Sequence, residues 1–357
     1  MQKKHSIFFS EIQNLFEAEL PFVIYRKPGE TKVCAYIQND SELYSLDDFD
    51  TSGFVFAPFH RGEVKIVFPE SKSRRIWTHI TNGGVRVNHE TKSNLTQISN
   101  LQEVKEKHLK LVEEGLAYIK DDEAKKIVLS WKEVVRIENF DMLNTFKKML
   151  MNYENAFVYL WFHPKVGMWM GASPERLLHI KNNLLKSMAL AGTQLFEGSE
   201  EVVWNEKEIK EQEFVTDFLL EQLRGSISSI GVSKPYTARA GNLLHIRTDI
   251  SGTLTSGKSL KNIIDALHPT PAVCGLPKDV ATNFILNKEG YHRDFYSGYL
   301  GELNVDRTTN LYVNLRCMKL KDNEAFIYVG GGITIDSNPH DEWAETLSKT
   351  EVMRKVL

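Results

Sequence analysis

The sequence predicts a mixed α/β (α+β) fold, and three observations carry that prediction. Short apolar runs bounded by Pro, Gly and Asp, such as residues 22–25 and 156–162, read as strands. Elsewhere apolar residues recur at helical spacing, as in Val104, Leu111, Val112, Leu116 and Ile119. The length of 357 residues, at roughly 150 per domain, allows two domains or one large one.

A first helix turns Ile12, Leu15 and Phe16 inward, and residues 22–25, 54–56 and 64–68 are expected as strands. Residues 70–100 are polar, contain Gly83-Gly84, and read as a long connection or weakly paired strands, the natural seam of the chain. The stripe from Val104 makes a helix, residues 127–129 a buried strand, and residues 142–151 a second helix. Strands at 156–162 and 168–172 form a hairpin. Residues 1–100 are thus a strand-rich N-terminal part, and residues 101–357 hold the bulk of the core.

Hydrophobic residues at 42% and charged residues at 25% match ordinary folded proteins and exclude disordered, collagen-like and disulfide-scaffold classes. A net charge of -3 offers no footprint for nucleic acid or an anionic membrane, so small molecules are the expected partners. Cys34, Cys274 and Cys317 form no CxxC pair, which fits a reducing compartment. The longest apolar run, 156–162, is far short of the roughly 18 residues of a membrane span. No secretory h-region develops after Lys3 and Lys4, and a cytoplasmic location is expected.

Two helices break the usual pattern. On residues 204–223 the inward stripe runs through Val215, Phe218, Leu219 and Leu223, and projected back it reaches Glu211 and Glu208. The C-terminal helix begins after Asn338-Pro339, an N-cap followed by Pro at the first helical position. Its inward Val352 and Val356 project back to Lys349, Glu345 and Glu342. Ionised carboxylates on an apolar face are costly unless paired or bound to a cation. Two ExxE pairs could supply hard oxygen ligands to one Mg²⁺ that also holds a substrate oxyanion. Solvated helix faces carry the same spacing, and Lys349 could simply pair with Glu345 one turn away.

Gly330-Gly331-Gly332 follow a strand at 325–329 and could bring backbone N–H groups close to an anion, or could form a bulge or tight turn. Arg316, within an apolar strand at 311–317, is either a carboxylate clamp or half of a buried ion pair. Together these features describe a metal and carboxylate site for a polyanionic small molecule.

Six motifs then occur in order: Gly171-Ala-Ser-Pro-Glu-Arg176, Ala191-Gly-Thr193, Lys207-Glu-Ile-Lys-Glu-Gln212, His245-Ile-Arg-Thr248, Leu267-His-Pro-Thr-Pro-Ala272, and Gly330-Gly-Gly-Ile333 with Glu342-Trp-Ala-Glu-Thr346. Over about residues 100–357 the chain resembles the chorismate-utilising enzymes, which include isochorismate, salicylate, anthranilate and aminodeoxychorismate synthases. The resemblance implies a single large domain of two mostly antiparallel sheets packed together, with helices outside and the active site in a cleft between the sheets. It implies Glu211 and Glu345 as direct Mg²⁺ ligands and Glu208 and Glu342 as helpers through water. The metal would hold the ring carboxylate of chorismate, near Gly192 and Lys349, and Thr193 would be a further substrate-binding residue. Arg316, Tyr296 and the Gly330 backbone would clamp the enolpyruvyl carboxylate, and His245 would lie near the ring, as a catalytic or a structural histidine.

Within the family, a lysine at Lys126 implies water as nucleophile where anthranilate synthases use ammonia, and Ala191 stands where aminodeoxychorismate synthases carry a nucleophilic lysine. The implied reaction is isochorismate synthase chemistry: Lys126 takes a proton from water attacking C2, and Glu175 gives one to the departing C4 hydroxyl. Lys126 has to be neutral and Glu175 protonated, which burial in a partly apolar cleft favours. Salicylate synthases share this base and acid and then eliminate pyruvate, so that activity is the alternative; a non-catalytic chorismate binder is another. The resemblance also implies a monomer and a product feeding menaquinone or siderophore biosynthesis. Trp131, in place of a basic residue, and Ile209-Lys210, in place of an Arg-containing stretch, depart from the family pattern.

Overall fold

Every residue of the strand Phe22–Arg26 is buried, a condition a strand meets only when both faces of its sheet are covered. In the computed structural model, which describes residues 1–80 and 94–357, the cover on one face is a second sheet and on the other a layer of helices. The first sheet runs through Gly275–Leu276, Lys126–Glu138, Glu324–Ile333, Cys317–Lys321, Gly167–Ser173, Phe157–His163, Phe22–Arg26, Lys32–Gln38 and Ser73–His79, with Asn94–Gln97 also on Lys126–Glu138. The second runs through Ile227–Val232, Leu243–Leu254, Leu184–Leu195, Arg176–Lys181, Thr308–Val313, Tyr299–Val305, Gly53–Ala57 and Ile66–Pro69, with Tyr236–Ala240 also on Leu243–Leu254. Neighbouring strands are antiparallel, and residues from before position 100 contribute strands to both sheets.

Alternation along each strand divides the core. Val23 and Tyr25 point between the sheets, where Tyr36, Trp161 and Trp169 meet Phe54, Phe56 and Phe68 of the other sheet. Phe68 stacks on Trp161 with ring centroids 5.4 Å apart, and Phe157 on Tyr312 at 4.2 Å. Each such side chain contributes about 1.5–3 kcal/mol on burial. Phe22 and Ile24 face outward onto the helices His5–Glu17 and Met142–Asn152. On the far side Leu185 and Ala189 pack beneath Glu206–Leu223 and Leu260–Leu267.

Several sequence expectations change here. The tract at 70–100 contains the strand Ser73–His79, paired over its whole length with Lys32–Gln38, itself unforeseen. Ser73–His79 is an edge strand with only Ile76 and Thr78 buried, so it lacks an apolar run; the Gly83-Gly84 portion lies outside the described residues. The strand expected at 127–129 extends over Lys126–Glu138, masked by Lys132, Glu133 and Arg136. Gly330, Gly331 and Gly332 continue the strand Glu324–Ile333 in register with Ser130, Leu129 and Val128, and do not form a turn. Arg316 lies between the strands Thr308–Val313 and Cys317–Lys321, with φ 48°.

Candidate active site

The helix Pro339–Arg354 starts where Asn338 accepts hydrogen bonds from the His340 and Asp341 N–H groups, and this cap points its first turns at the triple-glycine strand. The glycines answer a problem of space. A Cβ at position 332 would collide with the Glu211 carboxylate and come 2.8 Å from Lys126 Cε. One at 331 would lie 3.3 Å from Glu342 Oε2, and one at 330 would lie 2.9 Å from the Tyr296 hydroxyl. Carboxylates from two helices thus reach the strand where side chains are missing at 331 and 332, and the Tyr296 hydroxyl where one is missing at 330.

Each of three carboxylates meets its own lysine. Lys126, wholly buried at the start of its strand, places Nζ 2.9 Å from Glu211 Oε1, without the angles of a hydrogen bond, so its donors remain uncommitted. Lys349 donates to Glu345 Oε1 at 2.6 Å and to the Gly330 carbonyl at 2.9 Å. Burial pushes the Glu345 carboxyl up, but the Lys349 ammonium outweighs it and holds the group below the usual range. Lys207 donates to Glu342 Oε1. Burial and then the nearby Glu345 charge push Glu342 up, and its Oε2 is buried with no hydrogen-bond partner. Glu208 is drawn aside: its Oε2 accepts the Asn205 N–H at 3.1 Å and closes the helix N-terminus. Among the described residues, no three His, Cys, Asp or Glu side chains are gathered into a ready metal cluster.

The opposite wall carries Glu175, 2 % exposed in the connection after Ser173-Pro174. Burial pushes its carboxyl up to about 8 against the opposing charge of Lys126, so it keeps its proton at neutral pH. Gly192, at φ +70°, aims its carbonyl at His245 Nδ1, 2.7 Å away. A carbonyl only accepts, so Nδ1 carries the proton and Nε2 is left bare, facing Arg316 Nη2 at 3.4 Å. Burial, then the Arg316 charge, pulls the imidazole down to about 3, so it is neutral. Burial likewise lowers Arg316 to about 10, and its Nη1 has no partner.

One cleft of about 700 Å³ of empty space, part of it open to solvent, is lined by Glu175, Gly192, Thr193, Glu211, His245, Tyr296, Arg316, Gly330, Glu345 and Lys349. Lys126 sits behind Gly332 and Glu211, while Glu342 and Glu208 lie outside the lining. Residues behind the cleft hold these groups in place. Arg293, 4 % exposed, donates to the Val128 carbonyl at 2.8 Å and the Val273 carbonyl at 2.9 Å, and pairs with Glu289, which accepts from Ser130 N–H and Oγ. The Glu289/Arg293 i,i+4 spacing was the available signal. Trp131 stacks on Trp343 at 4.7 Å and donates from Nε1 to Thr346 Oγ1 at 2.9 Å, locking the C-terminal helix to the Lys126 strand.

A family model for chorismate binding enzymes matches residues 65–357. Isochorismate synthase EntC of Escherichia coli (strain K12) is 32% identical over 199 residues, 53% of this chain and 51% of the relative. Isochorismate synthase MenF of Haemophilus influenzae is 30% identical over 246 residues, 66% of this chain and 56% of the relative. The chain thus spans about half the length of these curated relatives. The solved structure of MenF, the menaquinone-specific isochorismate synthase from Escherichia coli, superposes with a TM-score of 0.79 at 21% identity, over 94% of this chain and 88% of that one, and establishes the shared fold. No helix among the described residues is long and apolar enough to cross a membrane.

Proposed function

Because this chain belongs to the chorismate-binding enzyme family, we propose that it is an isochorismate synthase, an isomerase that adds water at C2 of chorismate and releases the C4 hydroxyl. The observation that carries this reading is the pairing of a buried lysine, set directly behind the cleft wall at Gly332 and Glu211, with a buried glutamic acid in the cleft lining that stays protonated near neutrality. Lys126 takes a proton from the water as its oxygen bonds to C2; the C1–C2 double bond moves to C1–C6, the C5–C6 double bond moves to C4–C5, the C4–O bond breaks, and Glu175 protonates the departing hydroxyl, which leaves as water. Each group of this kind contributes about 10²–10⁴-fold.

Arg316 offers its free Nη1 to the enolpyruvyl carboxylate, with the Tyr296 hydroxyl and the Gly330 backbone beside it. His245 keeps Arg316 aimed by accepting at Nε2, a positioning role that agrees with its neutral state. The donor set fits Mg²⁺: hard carboxylate oxygens on two helices, one of them, Glu342 Oε2, buried without a partner. Glu211 and Glu345 would hold the ion, Glu342 and the remaining oxygen of Glu208 would assist through water, and the ion would neutralise and orient the ring carboxylate. Lys207 and Lys349 balance the charges of Glu342 and Glu345.

The test is incubation with chorismate plus Mg²⁺ or EDTA, with products identified by chromatography and mass spectrometry. Isochorismate alone, only with Mg²⁺, is expected. Salicylate with pyruvate would move the activity to the neighbouring synthase, and unchanged chorismate would overturn the proposal.

A further inference from the structure

A second groove lies between the helix Leu101–Lys120 and the middle of the strand Lys126–Glu138, and it shares no lining residue with the active-site cleft. His108 lines it, 2 % exposed, and neither of its ring nitrogens has a hydrogen-bond partner. Burying a polar group in that state is costly unless a ligand satisfies it. Burial pulls this imidazole down to about 4, so it is neutral and offers one donor and one acceptor.

The rest of the groove divides into an apolar floor and a cationic rim. Val104, Leu111, Trp131 and the Tyr291 ring form the floor. On the rim Lys107 is paired with Glu103 at 2.7 Å and Lys288 with Glu114 at 3.1 Å, whereas Lys110 and Lys132 face no carboxylate among the described residues. Lys132 hangs over the Tyr291 ring, 5.3 Å from its centroid. Glu289, the other acid here, is neutralised by Arg293. The groove holds about 1060 Å³ of empty space, part of it open to solvent, ample for a small molecule.

We propose that this groove is a second ligand site, for a small aromatic carboxylate whose ring lies on Trp131, Val104 and Leu111 and whose carboxylate reaches Lys110 and Lys132, with His108 hydrogen-bonded to its buried polar edge. A bare inorganic anion would leave the apolar floor unused, and a metal cation would find one imidazole among lysines that repel it. The site is independent of the proposed catalysis.

The probe is 1-naphthoate, titrated by calorimetry into the full chain and into Arg316→Ala, Lys132→Glu and His108→Leu, with acetate and phosphate as controls. One equivalent is expected to bind the wild type and Arg316→Ala alike. Lys132→Glu and His108→Leu are each expected to weaken binding at least about tenfold, and acetate and phosphate to bind no better than those variants bind naphthoate. Lys132 is half-buried, so its variant keeps the test sharp if His108→Leu does not fold. No binding to the wild type, loss in Arg316→Ala, unchanged affinity in Lys132→Glu, or phosphate binding as tightly as naphthoate would each overturn the site. None of these readouts requires turnover of chorismate.

Discussion

Lys126 and Glu211 form an ion pair, Nζ to Oε1 2.9 Å, against the backbone of Gly332, where a side chain would strike both partners. One strand supplies the lysine, one helix the carboxylate, and a third element the empty space between them. Under the proposed function, the base and a metal ligand occupy the same few ångströms.

Gly332→Ala tests that arrangement most simply. Displacing reacting groups by about 1 Å can cost about 10²-fold, and a loss of at least that size in kcat/KM is expected with an unchanged circular dichroism spectrum. Activity near the wild-type level would mean that the contact between Lys126 and Glu211 is not needed.

Glu175 makes turnover and stability depend on pH in linked ways. Its carboxyl, pushed up to about 8, must be protonated to act as the acid, so kcat is expected to fall as pH rises through about 8. In the unfolded chain the same group loses its proton near its ordinary 4.5, so between about 4.5 and about 8 the folded state binds the extra proton and stability declines as pH rises. Glu175→Gln removes this penalty. Relative to wild type, the variant is expected to gain stability progressively from pH 5 to pH 8, by a few kcal/mol at most, while losing kcat with little change in KM. Denaturant titrations at the two pH values check the first part; a stability difference that does not change with pH would contradict it.

Glu211→Gln and Glu345→Gln each remove a charge from the proposed metal site while keeping side-chain shape. Activity is expected to require at least about tenfold more Mg²⁺ in either variant, read from initial rates against metal concentration. An unchanged Mg²⁺ titration in both would remove these two carboxylates from metal binding.

Trp131→Phe keeps most of the stacking on Trp343 but deletes the Nε1 donor to Thr346. A loss of about 1 kcal/mol of stability is expected from that buried hydrogen bond, measured by urea unfolding. No measurable loss would show that the bond does not hold the C-terminal helix to its strand.

The acidic half of the cleft was legible because helices advertise their inner faces: extending the stripe from Val215 and Phe218 back to Glu211, or from Val352 back to Glu345, needed only the helical period, whereas the two-sheet architecture was implied by the family resemblance of the six ordered motifs. The lysine partners were harder. Lys349 is one turn from Glu345, but Lys126 and Lys207 reach their acids across separate elements, a distance no local pattern encodes. By sequence the glycine triplet reads either as backbone brought close to an anion or as a bulge or tight turn; in the structure it serves close approach within a regular strand. Ser73–His79 shows no apolar run because an edge strand buries few side chains, and Arg316 reads as part of a strand because its neighbours on both sides are apolar.

The most direct test of the account is turnover of chorismate in H₂¹⁸O with Mg²⁺, comparing the wild type with Lys126→Ala by mass spectrometry. The wild type is predicted to form isochorismate that has gained one heavy oxygen at C2, and Lys126→Ala to form none while still binding chorismate. Isochorismate without the label, or label incorporated at the wild-type rate by Lys126→Ala, would contradict the attack of lysine-activated water on which the account rests.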